Sequence, residues 1–170
     1  MAIITPSGGL GVELTDLYEA AGLQVPMLSP ALQAEIAAVL PPFGSPANPI
    51  DVTPVWAQFA ALYRRIIELL CRSDEVDIIV PCIVLSATRM PELIEAVRDT
   101  VLRCQREEGR SKPVVIAWGS LREYQHHQAI LEEAEIPCYP WSQATAAAIA
   151  GMVRYARARR RALLQAASPA

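Results

Sequence analysis

The chain has 170 residues, 52% of them hydrophobic, with a formal net charge of −3 and a mean hydropathy of +0.24. That length fits one ordinary domain, and the apolar content supplies a core that a disordered chain lacks. The charge balance offers no basic field to nucleic acid, and no apolar run reaches the roughly 18–20 residues that cross a bilayer.

The start of the chain lacks the basic-then-apolar layout of a signal peptide, so a cytoplasmic location is expected. The four cysteines form no CxxC pair, and the two histidines adjoin each other at His126 and His127. Convergent zinc ligands in close pairs are therefore absent, and no metal site is predicted. Reduced thiols are the expected state.

Residues 2–5 read as a short strand. Leu10, Leu14, Leu17 and Ala21 then fall on one helical face, and Gly22 is a stop for that helix. Residues 23–28 read as an extended piece, with Pro26 marking an edge or an exit. Ser29 followed by Pro30 is a helix start, a side-chain cap and then proline at the first position. That helix ends near Leu40 at Pro41-Pro42. Residues 41–54, dense in Pro and Gly, read as the longest irregular stretch, and such loops are often functional.

Trp56, Phe59, Tyr63, Ile66, Ile67 and Leu70 trace the next helical stripe. The run "VDIIVPCIVL" (76–85) reads as a central parallel strand buried on both faces. A helix follows over 91–108 and a strand over 112–118. The end of the chain reads as a helix over 122–134, a strand over 136–140 and an Ala-rich helix over 142–165. This alternation predicts an α/β fold: a flavodoxin-like, doubly wound, mostly parallel sheet of about five strands with helices on both faces. The boundaries expected are a domain over 1–153 and a C-terminal helix end and tail over 154–170.

Ligands of such sheets sit at the carboxyl ends of the strands, where Ser7, Gly8 and Gly9 connect the first strand to its helix. Glycines there let backbone approach a ligand closely, and the first helical amides have no internal partners. With the helix dipole behind them, Ser7, Gly8, Gly9 and Leu10 are the candidate phosphate-binding residues. Read from the turn alone, the glycines serve equally well as a tight connection.

"ITPSGGLGVELTDLYEAAGLQVPMLSP" followed by "LPPFGSPANPIDVTP" resembles the NDP-forming (ADP-forming) acyl-CoA synthetases, the superfamily that includes succinyl-CoA synthetase. The matching positions are Gly8, Gly9, Gly11, Val12, Asp16 and Gly22, then Asn48, Pro49 and Asp51. The resemblance covers nearly the whole chain and identifies it with the second flavodoxin-like domain of those enzymes. It implies the reaction acid + CoA + ATP ⇌ acyl-CoA + ADP + phosphate, carried by a phosphohistidine. By resemblance, the helix start at Ser7, Gly8, Gly9 and Leu10 would stabilise a phosphohistidine borne by a partner domain, with Asn48 and Asp51 close to the site.

Nothing in the chain matches the family's histidine segment, so no catalytic residue is expected here and no activity is expected of the chain alone. His126 and His127 read as surface helix residues. The implied partners are a CoA-binding, histidine-bearing domain or subunit and an ATP-grasp domain or subunit, with oligomerisation open. CoA, ATP or ADP and Mg²⁺ are implied for the complete enzyme and none for this domain by itself. The alternative is a non-catalytic module that senses CoA or acyl-CoA, or serves as a scaffold, in a multidomain protein such as a ligase-like/acetyltransferase fusion. Of the other residues, Arg89 reads as a solvated loop arginine, Trp118 as packing and Cys82 as a buried strand thiol.

Overall fold

The computed structural model describes residues 1–107, 111–120 and 122–167. Its elements in chain order are β1 (Ala2–Thr5), α1 (Gly8–Ala20), α2 (Pro30–Ala37), β2 (Ile50–Asp51), α3 (Phe59–Arg72), β3 (Ile79–Val84), α4 (Pro91–Arg106), β4 (Ile116–Gly119), α5 (Ala129–Glu132), β5 (Cys138–Pro140) and α6 (Trp141–Ala167). Short 3-10 turns precede α3, α4 and α5.

All described strand pairs are parallel, in the order β2-β1-β3-β4-β5. This is the flavodoxin-like order, and its switch point lies between β1 and β3. Every residue of β1, β3 and β4 is buried, as their unbroken apolar runs require. One core lies between the sheet and α2, α3, α4 and α5, and contains Phe59, Tyr63, Ile67, Val97 and Trp118. The other lies under α1 and α6 and contains Leu14, Tyr18, Val80 and Ile149. Pro81 cannot donate to the ladder of central β3. One residue on, Tyr63 Oη donates to the Cys82 carbonyl at 2.6 Å, tying α3 to the strand.

The expected five strands are present, but one is a different segment. Residues 23–28 pair with no strand, and the edge strand is Ile50–Asp51, inside the stretch read as irregular. Asn48 accounts for the exchange. Its Oδ1 accepts from the Ile3 amide at 3.0 Å, and its Nδ2 donates to Met1 O at 2.8 Å and Pro26 O at 3.0 Å. One side chain thus extends the ladder below β2 and holds the 23–28 segment alongside β1 without a strand. The helix read over 122–134 is a 3-10 stretch, Arg122–Gln128, followed by the single turn of α5.

At the other end, α6 is continuous from the sheet to Ala167. Every residue of 154–166 is exposed. The core contacts of this helix end at Val153. No helix among the described residues is long and apolar enough to cross a membrane.

Candidate functional site at the switch point

The first βα connection is built by Thr5 and Ser7. The buried Thr5 Oγ1 accepts from the Ser7 amide at 3.1 Å and donates to the Ser7 carbonyl at 3.0 Å. This clamp sets Ser7 in extended backbone as the N-cap of α1, with its Oγ accepting from Leu10 N at 3.5 Å. Helical hydrogen bonding begins at Gly11 N, which donates to Ser7 O at 3.0 Å. The Gly8 and Gly9 amides precede that bond, so the helix leaves them for an outside acceptor. No acidic side chain lies in the first turn.

The connection does not rest on glycine turn geometry. Gly8 and Gly9 are the first residues of α1, and neither has a positive φ; among the described glycines only Gly22 does. What they provide is space. A Cβ on Gly8 would lie 3.2 Å from Asp51 Oδ2, whereas one on Gly9 would meet nothing within 4 Å. Gly11 is needed for packing, since its Cβ would come within 3.0 Å of Pro49 Cβ and 3.2 Å of Thr5 Cγ2. Nothing inside the domain demands a glycine at Gly9, although glycine is a poor helix former.

The two halves of the sequence signature therefore touch. Gly8 faces Asp51, Gly11 packs on Pro49, and Ile3 bonds Asn48. Asp51 is half-buried at the end of β2, and its Oδ1 accepts from Thr53 N at 2.8 Å. Its Oδ2 points toward the start of α1. Asn48 is buried and fully engaged with backbone groups, so it shapes the site from behind. Asp16 is exposed further along α1.

Of the four described non-glycine residues with positive φ, Glu135 precedes β5 at the opposite edge and the other three lie on this one. Thr53, Leu85 and Trp141 have φ of 54°, 51° and 56°, and they follow β2, β3 and β5. Left-handed backbone at non-glycine residues costs on the order of 1–3 kcal/mol each and gathers at functional sites. Leu85 and Trp141 are more than half exposed, and Trp56 nearly so. Beyond β3, the Arg89 guanidinium lies 5.2 Å from the Tyr124 ring centroid, a cation–π contact. Thr88 is buried, its Oγ1 donating to Leu85 O at 2.6 Å.

His126 is exposed, as read, but His127 is not a surface helix residue. It is half-buried in the 3-10 stretch, and its Nδ1 donates to the Thr88 carbonyl at 2.7 Å, which requires the proton on Nδ1. It fastens the loop after β3 from behind. Trp118 is core, and Gly119 beside it leaves room for the Trp141 ring, 3.0 Å from where its Cβ would be. Cys82 is buried in β3, and burial pushes its thiol up to about 12. Among the described residues no group of three or more His, Cys, Asp or Glu side chains could hold a metal ion.

Thr5, Thr53 and Leu85 carry no motif signal in the sequence. Only the hydroxyl next to the turn hinted at Thr5.

A five-stranded parallel sheet in this order, with helices on both faces and a helix start of bare amides at its switch point, defines a flavodoxin-like α/β domain. The chain belongs to the ligase-CoA domain family, whose model matches residues 1–165. The alpha subunit of ADP-forming acetate–CoA ligase II of Pyrococcus furiosus is 28% identical over 158 residues, covering 92% of this chain and 34% of that subunit. The alpha subunit of form I from the same organism is 31% identical over 157 residues, covering 92% and 33%. The dinucleotide-forming acetyl-coenzyme A synthetase 1 of Ca. Korarchaeum cryptofilum, solved in complex with phosphate and ADP, superimposes with a TM-score of 0.81 at 26% identity, over 99% of this chain and 35% of that one. This chain thus spans about a third of the length of its relatives.

Proposed function

We propose that this chain is one domain or subunit of an NDP-forming acyl-CoA synthetase, and that the start of α1 stabilises a phosphohistidine carried by a partner domain. The observation that carries this reading is Gly9. It lies at an exposed helix start at the switch point, and no turn geometry or internal packing requires it to be glycine. The surface above it is kept clear for a group from outside the chain. Similarity to alpha subunits of ADP-forming acetate–CoA ligases supports the reaction class.

The physical chemistry fits a transient intermediate. A phosphoryl group on imidazole carries nearly two negative charges. A helix N-terminus stabilises such a charge by about 0.3–1 kcal/mol, or up to ~2 when partly buried. Each amide bond to a charged acceptor adds about 1.5–3 kcal/mol. Within Ser7–Leu10 the free Gly8 and Gly9 amides provide this array, with the Ser7 hydroxyl and the long-bonded Leu10 amide beside them, and without a cationic side chain that would trap the phosphoryl group. The Asp51 carboxylate borders the array, held by the Thr53 amide. The exposed Trp56, Leu85 and Trp141 ring this edge with apolar surface that a partner domain would cover. CoA, the nucleotide and Mg²⁺ belong to the complete enzyme.

The test is reconstitution with the partner subunits. Gly9→Leu fits the fold, because its Cβ has open space. It is expected to lower phosphohistidine formation and turnover about 10–100-fold, as follows from losing one or two charged hydrogen bonds. Gly9→Ala is the control for stability and raises it by roughly 0.5 kcal/mol. Unchanged phosphohistidine formation in Gly9→Leu would falsify the clamp role. Absence of any phosphohistidine in the wild-type assembly would favour the non-catalytic sensor.

A further inference from the structure

A second reactive feature lies on the other face of the sheet. Cys71 near the end of α3 and Cys104 near the end of α4 are brought to one cleft by the packing of the two helices, where each thiol perturbs the other. Both are buried, with 2% and 6% of their surface exposed. Together they line a cleft of about 220 Å³, with Glu68, Arg72, Arg103 and Glu107 around it. Arg103 and Glu68 form an ion pair across the two helices beside the thiols. The other two cysteines differ: Cys82 and Cys138 lie in strands, and burial pushes each thiol up to about 12.

We propose that Cys71 and Cys104 form a dithiol site that hydrogen peroxide oxidises to a disulfide linking α3 to α4. The cleft volume is several times the roughly 30 Å³ share of one water molecule. A peroxide molecule therefore fits within it. The two thiols are electronically unequal. The hydrogen bond from Cys71 holds the Cys104 thiol below its ordinary value, with Arg103 acting in the same direction. The same interaction, together with burial, raises Cys71.

The chemistry balances as follows. The Cys104 thiolate attacks one peroxide oxygen, the O–O bond breaks, and hydroxide leaves and takes up a proton as water. Cys104 is then a sulfenic acid. Cys71 gives up its proton, its sulfur attacks the sulfenic sulfur, the S–O bond breaks and a second water leaves. Two thiols lose two electrons and two protons, and one peroxide becomes two waters. Both thiols line the same cleft between α3 and α4, and a ~2.05 Å S–S bond would join the two helices there. The site is remote in function from the start of α1 and does not depend on the phosphohistidine reading.

The test treats the purified chain with a small excess of hydrogen peroxide at neutral pH. It is then unfolded in N-ethylmaleimide, and mass spectrometry reads the label count and the tryptic peptides. The expected result is two labelled cysteines in place of four, a cross-linked peptide joining Cys71 to Cys104, and four labels again after dithiothreitol. Cys71→Ser and Cys104→Ser each abolish the cross-link, whereas Cys82→Ser and Cys138→Ser retain it. Four labels after treatment, a cross-link between another pair, or Cys104 sulfinic acid with no cross-link would overturn the proposal. The wild-type peptide map decides even where a serine variant fails to fold.

Discussion

Asn48 shows how one side chain can govern both an edge strand and the ground under a site. Its amide satisfies Ile3 N, Met1 O and Pro26 O, three backbone groups from two segments far away in sequence. Asn48→Ala leaves them unpaired in a buried setting, and each unmet group costs about 1–3 kcal/mol. A loss on the order of 3 kcal/mol is expected, seen as a lower urea midpoint with an unchanged slope. A midpoint within experimental scatter of the wild type would show that water replaces the amide at no cost. Gly8 and Gly9 make a complementary point. Their adjacent positions are alike in sequence, yet one faces Asp51 and the other faces open space.

Among the elements, α2 has a start that titrates. Ser29 caps it by accepting from Leu32 N at 3.2 Å. Glu75 holds that cap from outside, its Oε2 accepting from Ser29 N and its Oε1 from Ser29 Oγ, both at 2.6 Å. The bonds from Ser29 to the carboxylate hold Glu75 below its ordinary value. A group with a depressed folded pKa stabilises the fold fully above the unfolded value, here about 4.3. Its contribution declines below that and is gone once the pH has fallen through the folded value. Glu75→Gln is therefore expected to be less stable than wild type near neutral pH. The gap should close in acid, as thermal melts from pH 7 down to pH 3 would show. A gap that persists at the acid end would assign the effect to shape and not to charge.

For the whole molecule, the core residues of α6 end at Val153. From residue 154 on, α6 leaves the sheet and all its side chains through 166 are exposed, including five arginines and Tyr155. Deleting residues 154–170 is expected to change stability by no more than about 0.5 kcal/mol, the usual range for surface changes. Nearly coincident urea curves would confirm this, whereas a large drop would make the extension part of the core. The chain spans about a third of its relatives, and its carboxyl edge carries strained backbone and exposed aromatic rings. Both features suit a module that works against other domains.

The amino-acid sequence by itself determined the α/β alternation, the buried central strands, the Ser29-Pro30 helix start and the two-part signature. These are local patterns, because apolar period and capping residues report on neighbours only a few positions away. Three-dimensional packing decided the rest. A two-residue strand has no period to detect, so β2 emerged only through pairing with β1 and the reach of Asn48 across 45 positions. The 3-10 stretch holding His127 depends on a bond to Thr88, 39 residues away. The meeting of Cys71 with Cys104 depends on how α3 lies against α4. The opening motif was legible as a helix start with glycines. That those glycines clear space beside Asp51, instead of bending the chain, could be decided only once β2 had brought Asp51 to the same edge.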